Sequence, residues 1–178
     1  MKHLFPALFL LAASCAVAPP VAPSAHTAGP YTSGVVDLGI VVRDIEASAA
    51  FYHGALGLEE IPGFTGAAKV TGDSGLADYQ AVPVRQFVLP GCKDGGTKLK
   101  LMQFAARPGK LADQEYLHST VGLRYVTLFV GDMDATLDRL RSAGIRPLAK
   151  GPVPIPGTAV KLAVVKDPDG NFIELVGP

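Results

Sequence analysis

Two stretches of the chain show a strand-like alternation of apolar residues followed at once by a helical spacing. In the first stretch, residues 35–42 turn alternate apolar side chains toward one face, which predicts a β-strand. Asp44 then stands where a helix N-cap belongs, apolar residues recur at helical spacing as far as Leu56, and Gly57 is typical of the residue that ends a helix. The first stretch therefore predicts a strand followed by a helix.

The second stretch repeats this order. Residues 122–130 predict a strand, Asp132 an N-cap, the apolar positions up to Ala143 a helix, and Gly144 its end. Segments of strand character, separated by turn signals, follow each helix: residues 58–64, 81–89 and 98–104 in the first half, and 146–150, 160–166 and 171–176 in the second. Each half is therefore predicted to fold as a βαβββ module, and the chain as an α+β protein in which two tandem modules form a shared cleft.

The N-terminal residues predict export. An apolar run over residues 4–17 is shorter than the ~20 residues of a membrane-spanning helix and is typical of a signal peptide. Residues 11–15, LAASC, resemble a bacterial lipobox, which implies cleavage before Cys15 and a lipid on that cysteine. Ordinary secretion, with cleavage after the AVA sequence at 16–18, is the alternative. We expect a periplasmic or cell-envelope lipoprotein whose membrane contact is only this N-terminal lipid anchor.

The N-terminal pattern and the repeat together divide the chain. The prolines of residues 16–33, with Ala, Ser and Thr between them, are typical of an extended tether. The expected segments are a signal peptide at 1–14, a Pro/Ala-rich tether at 15–33, the first module at 34–104, an intermodule linker at 105–121 and the second module at 122–178. The two modules are expected to carry the function.

Composition narrows the class of protein. With 48% hydrophobic and 18% charged residues, the chain is expected to be globular rather than disordered. Its 16 basic and 16 acidic residues give zero formal net charge without a run of Lys or Arg, so we expect no nucleic-acid partner. If Cys15 is acylated, Cys92 is the one remaining thiol, and it has no partner for an internal disulfide.

Two separated motifs carry a family resemblance. Residues 41–58, VVRDIEASAAFYHGALGL, resemble the first module of the vicinal oxygen chelate superfamily, which includes glyoxalase I, extradiol dioxygenases and bleomycin-resistance proteins. Residues 167–175, DPDGNFIEL, resemble the end of its second module. Together with the repeat, the resemblance covers residues 34–178 and implies the glyoxalase/bleomycin-resistance/dioxygenase fold.

The resemblance also implies where a metal ion would be held. In that superfamily the ligands come from the first and the last strand of each module, usually His or Gln on the first and Glu on the last. The matching positions here, which we call the quartet, are Asp37, Lys100, Tyr125 and Glu174. Strand alternation supports the same register, because burying the neighbouring apolar residues against the helices turns all four side chains toward the cleft.

A lysine in the quartet argues against a metal ion. Protonated lysine offers no lone pair, and Zn, Ni or Fe(II) sites favour imidazole and carboxylate ligands. We therefore expect no cofactor, and a divalent metal (Zn, Ni, Mn or Fe) only if the family chemistry is retained. Our hypothesis is that the Lys100 ammonium stands at the metal position, paired with Asp37 and Glu174 and close to the quartet's tyrosine hydroxyl. Among the histidines, His118 in the linker is the alternative ligand, and His53 is expected to be solvated at a helix end.

The first function that these residues support is small-molecule binding without a metal. The cleft walls are then expected to be Tyr125, Phe129, Phe172 and Met102. Arg85 and Lys100 would orient an anion or a carbonyl group of the ligand. The alternative to ligand binding is that the quartet forms a satisfied polar network that plugs an inactive site.

The second function is enzymatic. The resemblance implies a glyoxalase-like lyase or isomerase, or an extradiol-type dioxygenase, with a metal held through Asp37 and Glu174. A metal-free variant would use Glu174 or Asp37 as the general base and Lys100 as the electrophile. A homodimer is a further open alternative, because two-module proteins of this superfamily often pair.

Overall fold

The structure is a computed structural model that describes residues 30–93 and 95–178. Residues Val35–Pro178 form one compact unit. The predicted signal peptide at 1–14, Cys15 and the predicted tether as far as residue 29 lie outside the described residues. Among the helices that the structure describes, none combines the length and the apolar character needed to cross a bilayer.

The first half of the body is a four-stranded sheet with its helices. Its elements are β1 (Leu38–Val41), α1 (Ile45–Ala49), which continues as a π-helical segment (Ala50–Ala55), β2 (Glu59–Gly66), α2 (Ala68–Asp73), β3 (Val82–Val88) and β4 (Leu99–Met102). The strand order is β1-β4-β3-β2, with β1 parallel to β4 and the other neighbours antiparallel. The short helix α2 is an addition that the sequence pattern does not predict.

The second half repeats this topology. Its elements are β5 (Tyr125–Phe129), α3 (Met133–Ser142), β6 (Val153–Pro154), β7 (Lys161–Lys166) and β8 (Phe172–Gly177). The strand order is β5-β8-β7-β6, again with the first strand parallel to the last. The predicted pair of βαβββ modules is therefore confirmed. The strand predicted at 146–150 is wrong, because these residues form a loop and the strand lies at Val153–Pro154.

Both principal helices begin and end as the sequence predicts. The Asp44 carboxylate accepts hydrogen bonds from two backbone N–H groups of the first turn of α1, and the Asp132 carboxylate accepts one from the first turn of α3. Gly57 and Gly144 have φ angles of 80° and 78°, a left-handed conformation that glycine adopts without steric penalty. These local signals fix where each helix leaves and rejoins its sheet.

The helices of both modules share one hydrophobic core on one side of the two sheets. Leu99 and Leu101 of β4 are buried in this core, while Lys100 between them is only half-buried. The same alternation holds on β8, where the apolar neighbours of Glu174 are buried. The predicted register of both last strands is therefore confirmed, and their polar residues face the concave, helix-free side.

A buried hydrogen-bond network joins the modules. The Tyr52 hydroxyl donates to Asp167 Oδ2 at 2.8 Å, and burial, followed by the nearby carboxylates, raises the pKa of Tyr52. Arg43 Nε donates to Asp169 Oδ1 at 2.8 Å. The two sequence motifs that carry the family resemblance therefore contact each other across the module boundary.

The first strands of the two modules lie at facing edges. A cavity of about 260 Å³ is lined by β1 on one side and by β5 and β8 on the other. Because β1 ends one sheet and β5 ends the other, the order across the concave side is β4, β1, β5, β8. The last strands, which carry Lys100 and Glu174, are thus separated by both first strands.

Candidate functional site

The candidate site is a cavity of about 590 Å³ on the concave face of the second sheet. Its lining residues come from four strands, one loop and the linker: Leu117, Tyr125, Leu148, Ala149, Lys150, Gly151, Val153, Leu162, Val164, Phe172 and Glu174. Most of these side chains are apolar, and only three of them carry a charge or a hydroxyl. A cavity of this size and character suits a small organic molecule.

Strand register brings Glu174 to the floor of this cavity. On β8 it lies opposite Thr127 of β5 on one side and Val164 of β7 on the other. Thr127 Oγ1 donates a hydrogen bond to Glu174 Oε1 at 2.8 Å. In the described part of the chain, this is the one hydrogen bond of the Glu174 side chain, and no cationic residue forms an ion pair with it.

The aromatic residues of the cavity are Tyr125 and Phe172, which face each other across the parallel pair β5 and β8. Lys166 Nζ lies 4.9 Å from the centroid of the Phe172 ring, and Arg124 Cζ lies 5.9 Å from it. The Tyr125 side chain is open to solvent, with 54% of the residue exposed. Its ring is therefore accessible to a ligand.

The intermodule linker is fastened to the second module beside the cavity. Lys166 Nζ donates to the Gln114 carbonyl at 2.6 Å. Arg124 donates to the carbonyls of Asp113 and Leu117 at 3.1 and 3.2 Å and to the Gln114 side chain at 2.6 Å. These bonds hold the linker where Leu117 lines the cavity.

The quartet does not come together as one cluster. Lys100 Nζ lies 2.8 Å from Asp37 Oδ2, as expected, and the two side chains are 28% and 32% exposed. The expected second pair, between Lys100 and Glu174, is absent among the described residues, and Glu174 is bonded to Thr127 instead. The reason is that β1 and β5, the edge strands of the two separate sheets, lie between them.

The surroundings of the Lys100–Asp37 pair favour the charged form of Asp37. The Lys100 ammonium and the backbone N–H of Lys98, which donates to Asp37 Oδ1 at 3.0 Å, hold the pKa of Asp37 below its usual value. The Tyr125 hydroxyl makes no hydrogen bond with any residue that the structure describes. The quartet is thus one ion pair in the first module and two independent side chains in the second.

The quartet does not fit a divalent metal. One of its two carboxylates is already neutralised by an ammonium, and a metal placed at the family position would be repelled by that same charge. Within residues 30–93 and 95–178, no group of three or more His, Cys, Asp or Glu side chains is placed to hold a metal ion. His53 Nδ1 lies 2.7 Å from the Leu58 carbonyl, and His118 stacks on Tyr116 with 5.6 Å between ring centroids.

Three other predicted site residues lie outside the candidate cavity. Arg85 differs most from expectation, because its guanidinium forms ion pairs with Glu46 of α1 and Glu60 of β2 on the helix side of the first sheet. The register explains this placement, since Arg85 lies opposite the buried Leu101. Met102 packs over Gly39 in the first module, and Phe129 is 78% exposed near the end of β5. The prediction that Arg85 faces the cleft is therefore wrong.

Sequence reasoning missed several residues that shape the cavity. Val164 and Lys166 alternate on the concave side of β7, so strand periodicity contained a signal for them. The same periodicity places Thr127 on the cleft side, but it does not indicate the hydrogen bond from Thr127 to Glu174. Strand periodicity contained no such signal for Arg124 and Leu117, because the hydrogen bonds that hold the linker follow no strand or helix period. Ligand binding by Tyr125, Phe172 and Glu174, which the structure does bring together, stays a prediction.

Comparisons with known proteins agree with this fold. A family model described as the glyoxalase/bleomycin resistance protein/dioxygenase superfamily matches residues 26–175. A glyoxalase family protein from Bacillus cereus is similar in structure, with 21% identity over 86% of this chain and 98% of that chain and a TM-score of 0.69. A search of curated proteins found no match.

Two further solved structures carry functional descriptions of their own. An antibiotic-binding protein from a Streptomyces species is 24% identical over 82% of this chain and 96% of that chain, with a TM-score of 0.56. A fosfomycin resistance protein from Listeria monocytogenes, solved with Mn(II) and sulfate, is 14% identical over 83% of this chain and 94% of that chain, with a TM-score of 0.52. At these identities the likeness shows the fold alone.

Proposed function

The chain belongs to the glyoxalase/bleomycin resistance protein/dioxygenase superfamily, and from this premise we propose that it binds a small organic molecule on the concave face of its second module without a metal ion. The observation that carries this proposal is the 590 Å³ cavity, whose walls are mainly apolar and whose polar groups are few. Ligand sites in proteins have this size and this distribution of polarity.

The ion pair in the first module supports the metal-free part of the proposal. Lys100 occupies a position where the superfamily places a metal ligand, and its ammonium is held by Asp37. A cation is therefore already present at this point of the scaffold, supplied by the protein itself. A fold of this kind also carries small-molecule binding in the antibiotic-binding protein from Streptomyces.

The proposal is tested by filling the cavity. Val164 lies on β7 beside Glu174, so Val164→Trp places an indole in the space that a ligand would occupy. We expect the affinity for the neutral dye Nile red, measured by fluorescence titration, to fall about tenfold or more, because the buried apolar contacts are lost. The matched control is Val70→Trp on α2, where the residue is 65% exposed and remote from the cavity lining.

The result that contradicts the proposal is equal dye affinity in the two tryptophan variants. Circular dichroism and thermal unfolding of both proteins establish that each is folded. Mass spectrometry of the protein purified from its native source provides a second readout, since a tightly bound organic molecule is expected to copurify with the wild type and not with Val164→Trp.

We also propose that the protein is exported and lipid-anchored at Cys15, on the strength of the apolar N-terminal run and the LAASC sequence. In a Gram-negative host, metabolic labelling with an alkyne fatty acid is expected to mark the wild type and to leave Cys15→Ser unlabelled. An unlabelled wild type whose mature N-terminus is Pro19 would instead establish ordinary secretion.

A further inference from the structure

The cavity of the second module contains a carboxylate that no cation of the protein neutralises. Glu174 receives one hydrogen bond, from the neutral hydroxyl of Thr127, and its Oε2 atom accepts none among the described residues. Its neighbours on the cavity wall include Val164, Leu162 and Leu148. Glu174 is half-buried among these apolar walls, and an opposite charge that approaches through the cavity would form a charge-assisted hydrogen bond with it.

The nearby cations are committed to other partners. Lys166 donates to the linker carbonyl of Gln114 and lies over the Phe172 ring. Arg124 donates to linker oxygens, and neither it nor Lys166 is among the residues that line the cavity. Lys100 is paired with Asp37 in the other module.

Lys150 is the one cation in the cavity lining. It lies on the exposed loop between α3 and β6 and forms no ion pair with any described residue. Its charge is therefore solvated at the rim, whereas the carboxylate lies on the floor. Lys150 therefore leaves the Glu174 carboxylate without an ion-pair partner among the described residues.

An aromatic surface stands beside the carboxylate. The ring of Tyr125 lines the same cavity, and over half of the residue is exposed. An aromatic face next to a carboxylate favours an organic cation, because the ring's negative face and the carboxylate attract the same charge. The remaining walls offer apolar area for the body of the molecule.

From this arrangement we infer that the ligand is an amphiphilic organic amine whose protonated nitrogen binds the Glu174 carboxylate while its apolar body lies against the walls of the second module. The inference rests on the proposed function and adds the chemical class of the ligand. It differs from the expectation that Arg85 and Lys100 orient an anion or a carbonyl group of the ligand, since both of those cations are engaged elsewhere.

The experiment compares three probes that share an apolar body and differ in charge: 2-naphthylmethylamine, 2-naphthylmethanol and 2-naphthoic acid. Each is titrated against Nile red bound to the full chain at neutral pH and low salt. We expect the amine to bind about tenfold or more tighter than the alcohol, which is the range for a hydrogen bond to a charged group, and the acid to bind weakest.

The variant Glu174→Gln tests the residue. It retains the shape of the side chain and an oxygen that accepts from Thr127, so it is expected to remove the advantage of the amine while leaving the affinity for the alcohol unchanged. Glu46→Gln on α1 is the matched control: it removes one negative charge at a side chain that is 80% exposed and pairs with Arg85 in the first module, and it is expected to preserve the ratio of amine to alcohol affinity. A tenfold advantage that survives Glu174→Gln would overturn the inference.

The outcomes separate this inference from the proposed function. If amine and alcohol bind the wild type equally, or the acid binds tightest, the cation class is wrong while cavity binding stands. The same conclusion follows if no naphthyl probe binds but Val164→Trp still excludes Nile red. If Val164→Trp and Val70→Trp bind Nile red alike, the cavity is not the binding site and both proposals fail.

Discussion

The two modules share one topology, yet their concave faces differ. In the first module, polar side chains satisfy one another: Lys100 is paired with Asp37, and the Gln86 amide donates to the Pro62 carbonyl at 2.7 Å. In the second module, apolar side chains surround Glu174 and leave a cavity of about 590 Å³. The duplicated scaffold therefore presents two concave faces of different chemistry.

Equivalent positions make the contrast specific. Lys100 and Glu174 occupy corresponding places on the last strands, and Asp37 and Tyr125 correspond near the first strands. In the first module the two side chains neutralise each other, so a charged ligand would add little electrostatic stabilisation to either. In the second module they are not bonded to each other, so both remain available. The ligand site that we propose therefore uses one half of the repeat.

The largest expected effect comes from breaking the junction that the modules share. In Asp167→Ala, the Tyr52 hydroxyl and the backbone N–H groups of Asp169 and Asn171 lose a buried acceptor. We expect the free energy of unfolding in urea to fall by about 3 kcal/mol. The exposed Asp138→Ala on α3 is the control and is expected to change it by less than about 0.5 kcal/mol. Equal losses in the two variants would show that the junction does not unite the modules.

The second-largest effect is expected from releasing the intermodule linker, which borders the cavity of the second module only. Arg124→Met removes the hydrogen bonds that hold Asp113 and Leu117 beside the cavity. We expect Nile red affinity to fall about fivefold, since one hydrogen bond contributes about 1 kcal/mol, and hydrogen exchange over residues 113–118 to accelerate. Arg146→Met, at an exposed position, is the control. Unchanged exchange in Arg124→Met would refute the role of the linker.

A smaller effect tests the independence of the two faces. Lys100→Met breaks the ion pair with Asp37 and is expected to lower the free energy of unfolding by less than about 1 kcal/mol, because both groups are partly solvated. Nile red affinity is expected to stay within twofold of wild type. If dye binding is lost in folded Lys100→Met, the ligand site extends into the first module and the contrast between the faces fails.

The smallest effect is a pH dependence from Asp37. Its pKa is lowered in the folded state by Lys100 and the Lys98 N–H, so its stabilising contribution is present above the unfolded pKa of ~3.9 and is lost as pH falls through the folded value. The contribution is about 0.5 kcal/mol, since the side chain is partly exposed. Between pH 5 and pH 2, the free energy of unfolding is therefore expected to decrease less with falling pH in Asp37→Asn than in wild type. An equal decrease in the two proteins would contradict this assignment.

Local signals made much of the fold predictable from the sequence. Asp44 and Asp132 cap their helices and Gly57 and Gly144 end them through contacts within a few residues, which a linear pattern records. The alternation around Lys100 likewise determines its face of the sheet. Such features depend on periods of two or 3.6 residues and need no knowledge of the tertiary structure.

The site was harder to predict because its geometry is nonlocal. Arg85 was misplaced because the register of β3 depends on its pairing with β4 and on the irregularity of β2 between Ile61 and Phe64. The Lys100–Glu174 pair was expected from the superfamily's metal positions and from strand alternation, which do not include the separation that β1 and β5 impose. The linker residue Leu117 reaches the cavity through bonds that no sequence period encodes.

The most direct test of the central claim is a crystal structure of the protein soaked with 2-naphthylmethylamine. The account predicts the ammonium nitrogen within hydrogen-bond distance of the Glu174 carboxylate, the naphthyl ring against Leu162 and Tyr125, and the Lys100–Asp37 ion pair intact. A transition metal held by Asp37 and Glu174, or an amine bound in the first module with the second cavity filled by solvent, would contradict it.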